Sequence, residues 1–134
     1  MLNLYEITII LIIHYIADFV FQSDKQAKNK SSSNKALLSH TWIYTLTWYG
    51  FLVVWSIINN HILHNKADYF GWDGKILLFL PITFICHTIQ DYITSRMVKK
   101  RFDKKDFHNG FVIIGFDQLL HYIQLFLTYF LLKN

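Results

Sequence analysis

The sequence predicts an all-α fold, a four-transmembrane-helix bundle with both termini on the outer side of the membrane (N-out/C-out), and three observations predict it. Hydrophobic residues make up 53% of the 134 residues and aromatic residues 18%, more than a soluble domain of this size needs. Apolar stretches recur four times at a length that crosses a bilayer, about 18–23 residues each. Only 16% of the residues are charged, and most of them gather in two short segments between those stretches. The formal charge of +4 therefore describes loops, and no nucleic-acid partner is expected.

The first span runs from Leu2 to Gln22. It lacks a basic leader and a small-residue cleavage site and carries Glu6, so it is expected to persist as a membrane helix and not to be removed as a signal peptide. A polar loop from Ser23 to Lys35 leads to the second span, Ala36 to Ile58. A middle loop, Asn59 to Lys75, contains Gly71 and Gly74 and precedes the third span, Ile76 to Ser95. Pro81 falls in the first turns of that span, where a missing N–H is tolerated. The third loop, Arg96 to Gly110, precedes the fourth span, Phe111 to Leu132. Cys86 has no partner for a disulfide and is expected to pack. Trp42, Trp48, Trp55 and Trp72 fit interfacial belts or bundle packing.

The first and third loops hold ten of the 13 basic residues, and only Lys66, Lys75 and Lys133 lie elsewhere. By the positive-inside rule those two loops are cytoplasmic. The expected location is multi-pass in a cytoplasmic membrane, bacterial or that of a phage-infected host. Membrane lipids are the surrounding partner, and self-association as a homo-oligomer is left open.

Inside the apolar stretches lie three pairs at four-residue spacing, His14/Asp18, His87/Asp91 and Asp117/His121. The spacing sets both members of a pair on one helix face. An Asp at mid-membrane depth costs about 2.5–3.5 kcal/mol on the insertion scale, so three of them point to a shared buried site. Counting inward at about 1.5 Å per residue, Asp18, His40, Asp91 and Asp117 lie about 5–10 Å deep, and His14, His87 and His121 about 10–15 Å deep. The fourth helix runs opposite to the first and third, and its Asp precedes its His. That reversal is what one common layer of side chains requires.

Imidazoles and carboxylates without thiolate suit divalent Zn, Mn or Fe. Four His and three Asp exceed the needs of one tetrahedral ion. They match two ions about 3.5–4 Å apart that activate water and steady both oxygens in a displacement at phosphorus. The expected cofactor is therefore a divalent metal, one or two ions. Its candidate ligands are His14, Asp18, His40, His87, Asp91, Asp117 and His121, with His40 alternatively an acid/base group. Asp18, Asp91 and Asp117 are each candidates for the general base. The expected function is metal-dependent hydrolysis of a phosphorylated or lipid-like substrate.

Other readings use the same residues. Asp and His could pair along each helix as structural ion pairs, although buried pairs seldom repay their desolvation. Rows of intramembrane Asp and His also make proton or metal-ion pathways, but the polar band is confined to the inner half of the spans, with Glu6 and the tyrosines as the exceptions. Haem ligation would leave the carboxylates without a use. Gln22, Gln90, Gln118 and Gln124 either orient carboxylates or, as the favoured reading, join helices by hydrogen bonds. His61 and His64 belong to a solvated loop, and His108 to a turn or cap. The chain also reads as two tandem hairpins, each opening with His-x-x-x-Asp and continuing to a His near the start of the next span.

The segment His14-Tyr-Ile-Ala-Asp18-Phe-Val-Phe-Gln22, followed by Lys25 and by His40 opening the next span, resembles a family of small bacterial and phage membrane proteins, domain of unknown function 3307. The His87/Asp91 and Asp117-Gln118/His121 groups fit the same pattern, and the resemblance covers most of the chain. More distantly, by type of motif, the chain is similar to membrane-bound metal-dependent hydrolases, which place His and Asp on short-looped transmembrane helices. That likeness implies hydrolytic activity.

Overall fold

A computed structural model of the chain describes residues 3–58 and 76–133, almost all of them helical. The predicted middle loop, with His61, His64, Lys66, Trp72 and Lys75, lies outside the described residues, as does Leu2. Helix α1 spans Leu4–Tyr15 and continues as a π-helical turn over Ile16–Val20. Short α2 spans Asp24–Asn29, α3 Asn34–Ile57, α4 Ile76–Asp103 and α5 Phe107–Lys133.

Local chemistry sets the starts of these helices. Asn3 and Glu6 form a reciprocal capping box at α1, and Ser23 and Gln26 form another at α2. The Ser33 hydroxyl accepts the Ala36 N–H at the start of α3. Each cap satisfies N–H groups that the first helical turn leaves unpaired.

The predicted loop from Arg96 to Gly110 is mostly helix, a correction with a clear cause. Hydropathy falls at Arg96, but nothing there breaks a helix, and Arg, Met and Lys favour one. The chain stops at Lys105, whose φ is 59°. The Asp106 N–H bonds the Arg101 carbonyl at 3.0 Å and the Lys105 N–H bonds that of Phe102 at 2.9 Å, the paired bonds of a Schellman turn. Asp106 then caps α5 through Asn109, and that contact holds its carboxyl below the usual carboxylate range. His108 sits exposed in the first turn of α5, beside this cap.

The long helices close into a ring in which α1 meets α3, α3 meets α4, α4 meets α5 and α5 meets α1. The α4–α5 pair is packed along most of its length, whereas α1 meets α5 sparingly. At the end of the bundle away from α2, Ile10, Trp48, Leu52, Phe79, Leu125 and Tyr129 form an apolar core. Trp48 and Phe79 meet there edge to face at 5.1 Å. Elsewhere the interior is polar. Among the described residues, fourteen buried side chains are polar or charged and ten are aliphatic or aromatic, two tyrosines among them. Large apolar side chains cover the outside instead, including Ile12, Leu46, Ile85, Phe116 and Leu127, each more than half exposed. One described helix, α5 over Phe107–Leu132, is long and apolar enough by composition to cross a membrane.

Candidate metal centre

His40 lies on α3 about two turns after its cap, Ser33, and meets His87 and Asp91 from α4 and Asp18 from the π-helical turn. The buried His40 Nε2 lies 3.0 Å from Asp18 Oδ1, 3.3 Å from Asp91 Oδ2 and 3.1 Å from His87 Nε2. His87 Nε2 lies 3.6 Å from each of the same two carboxylate oxygens. Four potential ligand atoms thus surround one point. Tetrahedral ligands bound at about 2.0–2.1 Å stand about 3.3–3.4 Å from one another. The five distances, 3.0 to 3.6 Å, straddle that value.

A second group shares Asp91. His121 Nδ1 lies 2.8 Å from the backbone carbonyl of Asp117. A carbonyl only accepts, so Nδ1 donates to it and Nε2 is the ring atom left to face the site. That Nε2 faces Asp91 Oδ1 at 4.0 Å, and neither atom has a hydrogen-bond partner. A proton on Nε2 or a metal ion would satisfy both atoms; at 4.0 Å apart, two ligands bound at about 2.0–2.1 Å would stand nearly opposite each other on the ion and not at tetrahedral corners. Asp117 completes the group. Its Oδ1 accepts from Thr94 at 2.6 Å and its Oδ2 from the Gln118 amide at 3.2 Å.

All seven predicted site residues are buried and lie in one layer. Asp18, His40, His87 and Asp91 form the first group and Asp91, Asp117 and His121 the second. His14 stands beside them, outside both. Its Nδ1 is paired with the Tyr44 hydroxyl at 2.9 Å and its Nε2 with Gln118 Oε1 at 2.9 Å, while Asp18 Oδ2 is 3.7 Å away. Gln118 passes this ordering on, donating through Nε2 to Asp18 Oδ2 and Asp117 Oδ2, both at 3.2 Å. Gln22 pairs with His40 Nδ1 at 3.2 Å, and Tyr44 stacks on the His87 ring at 3.8 Å. These contacts hold the candidate ligands' rings and carboxylates in place, as metal sites require.

In the sequence Lys30 is one of the basic residues of the first loop, which topology explains or which alternatively bind anionic lipid headgroups or a phosphorylated substrate; its contact with Asp91 has no sequence signal. It sits on the connection after α2, with Nζ 2.9 Å from Asp91 Oδ2. Burial opposes its charge, but Asp91 and then Asp18 outweigh burial and raise its pKa above the usual value. Thr94, too, carried no sequence signal, because its role depends on facing Asp117 across two helices. The α2 helix that delivers Lys30 did have one: Ser23 followed three residues later by Gln26, the capping-box spacing.

Comparison with known proteins adds a family and no activity. No curated protein and no solved structure matches the chain. A family model described as protein of unknown function, DUF3307, matches residues 7–134, which takes in every residue of the two ligand groups, and the chain belongs to that family.

Proposed function

We propose that this chain is a polytopic membrane protein whose four long helices enclose a divalent metal centre near the cytoplasmic leaflet, and that it hydrolyses a phosphorylated or lipid-like substrate. The carrying observation is the shared carboxylate of Asp91. One of its oxygens sits among the tetrahedrally spaced atoms of Asp18, His40 and His87, and the other faces Nε2 of His121. Zn, Mn or Fe suits this donor set. Bound there, one or two ions would lower the pKa of a water and neutralise charge on a phosphoryl group.

The residues divide the remaining work. In the hydrolysis of a phosphate monoester, a water oxygen bonds to phosphorus, the P–O bond to the alcohol breaks, and the alcohol leaves with a proton. A carboxylate of the group takes the proton from the attacking water, and His40, where it acts as an acid and not as a ligand, would return one to the leaving oxygen. Gln118 and Thr94 keep the carboxylates aimed, and Gln22 the His40 ring.

The membrane setting rests on the inverted distribution of side chains, apolar outside and polar inside, the pattern expected where lipid is the solvent. Helix α4, at 28 residues, is about 42 Å long against a hydrocarbon core of about 30 Å. Its basic end, Arg96 to Arg101, then projects into the cytoplasm together with α2.

The test is elemental mass spectrometry of the protein purified in mild detergent without chelator, beside an Asp18/Asp91/Asp117→Asn variant. About one or two equivalents of metal, absent from the variant, are expected. No metal in either protein, even after reconstitution, would overturn the metal centre.

One observation favours a second reading, ion transport. Polar side chains continue beyond the site: Gln124 bonds Thr83 and Thr128, and the Tyr129 hydroxyl donates to buried Glu6 at 3.0 Å. Metal or proton uptake into vesicles that is lost in Glu6→Gln, without product release from any phosphoester, would decide for transport.

A further inference from the structure

We infer that the substrate is a lipid phosphate monoester, bound with its phosphoryl group over the three carboxylates and its apolar tail leaving between the π-helical turn and α5. This rests on the hydrolase reading above and narrows its substrate. A cavity of about 440 Å³ opens onto the site at the α2 end of the bundle. Its size suits a headgroup and the first part of a chain, ligand pockets being about 300–1,000 Å³.

The lining changes character with direction. Asp18, Asp91 and Asp117 form the floor, where the metal ligands are. Lys28, Lys30 and Lys99 stand around the same space, and lysines bind phosphoryl oxygens as point charges. Lys30 is the deepest of them, its side chain 17% exposed and already held against Asp91. Ser95 adds a buried hydroxyl with no hydrogen-bond partner, a donor that a phosphoryl or ester oxygen would satisfy. Gln22, Ser31 and Asp103, the last paired with Lys99, add polar groups at the mouth, while Phe19, Val98, Phe102 and Ile114 form an apolar strip along the wall. A sugar or nucleoside phosphate would leave hydroxyls unpaired against that wall. An acyl chain would not. The π-helical turn and α5 do not pack against each other and are joined by the Gln118–Asp18 hydrogen bond, so the rest of the tail would leave beside Phe19 and Ile114 and stay in the bilayer.

The test compares two substrates with the same reacting group. The metal-loaded, full-length protein in detergent micelles is given dioleoyl phosphatidic acid or glycerol 3-phosphate, and released phosphate is measured. A kcat/KM about tenfold or more higher for the lipid is expected, the preference shrinking several-fold in Ile114→Asn. Lys30→Met is expected to lower kcat/KM for both. Equal kcat/KM values, or a preference untouched by Ile114→Asn, would overturn the lipid assignment and leave the hydrolase reading standing. If neither substrate is turned over, photoreactive phosphatidic acid separates the two claims. Labelling of Phe19 or Ile114, displaced by phosphatidic acid and not by phosphatidylcholine, would support the lipid-phosphate site and remove hydrolysis. No such labelling would overturn the site itself.

Discussion

In the first hairpin His14 lies four residues before Asp18 and commits both ring nitrogens elsewhere, to Tyr44 and Gln118. In the second, His87 lies four residues before Asp91 and keeps its Nε2 within 3.6 Å of two carboxylates and 3.1 Å of His40. The connections differ as well. A π-helical turn, a capped helix and a polar loop join α1 to α3 and deliver Lys30, while three residues join α4 to α5. The same spacing therefore yields a His committed to hydrogen bonds in one half and a candidate ligand atom in the other. What separates them is the neighbour each imidazole meets.

The sharpest way to break this comparison is Asp91→Asn, which removes the carboxylate common to both groups while keeping its shape. A fall in metal affinity of more than about 100-fold is expected, beyond what loss of a supporting contact causes, with helix content by circular dichroism unchanged. His14→Gln addresses the other half. Metal titration should show affinity weakened by about 10–100-fold, the range for a residue that orients ligands. An effect as large as that of Asp91→Asn would mean that His14 is itself a ligand.

Smaller effects test the connections. A Cβ on Gly110 would collide with the Phe102 ring, so Gly110→Ala should cost about 1–3 kcal/mol in detergent unfolding as Phe102 and the α4–α5 seam shift. Lys105→Gly is the mildest change. The left-handed φ of 59° strains a lysine, by about 1–2 kcal/mol, while glycine gives back about 0.4–1 kcal/mol through unfolded-state entropy. A gain of about 0.5–1 kcal/mol is expected from the same unfolding measurement.

The shared layer was legible because helical periodicity is strict. Pairs four residues apart had to face one way, and the reversed order of Asp117 and His121 placed them level with the others. All-helical architecture followed from the apolar runs. What could not be read was anything decided by a distant neighbour. His14 is turned aside by Gln118, on the opposite side of the sequence, and Lys30 reaches Asp91 only because α2 folds back over the end of the bundle. The α4–α5 connection was misjudged for a different reason: hydropathy marks where a chain leaves an apolar environment, and a helix can continue well past that point.

The π-helical turn carries its own consequence. Its i→i+5 bond, from the Phe21 N–H to the Ile16 carbonyl at 3.0 Å, is the trace of one residue inserted into an α-helix. Each residue advances a helix by about 100°. Deleting Phe19 and closing the turn to regular α-helix would therefore swing everything after it relative to α1, carrying Gln22 away from His40 and re-aiming the arm that bears Lys30. Such a phase error lies beyond the reach of any rotamer change, so this stretch should accept substitutions at its outward-facing positions far more readily than a change in its length.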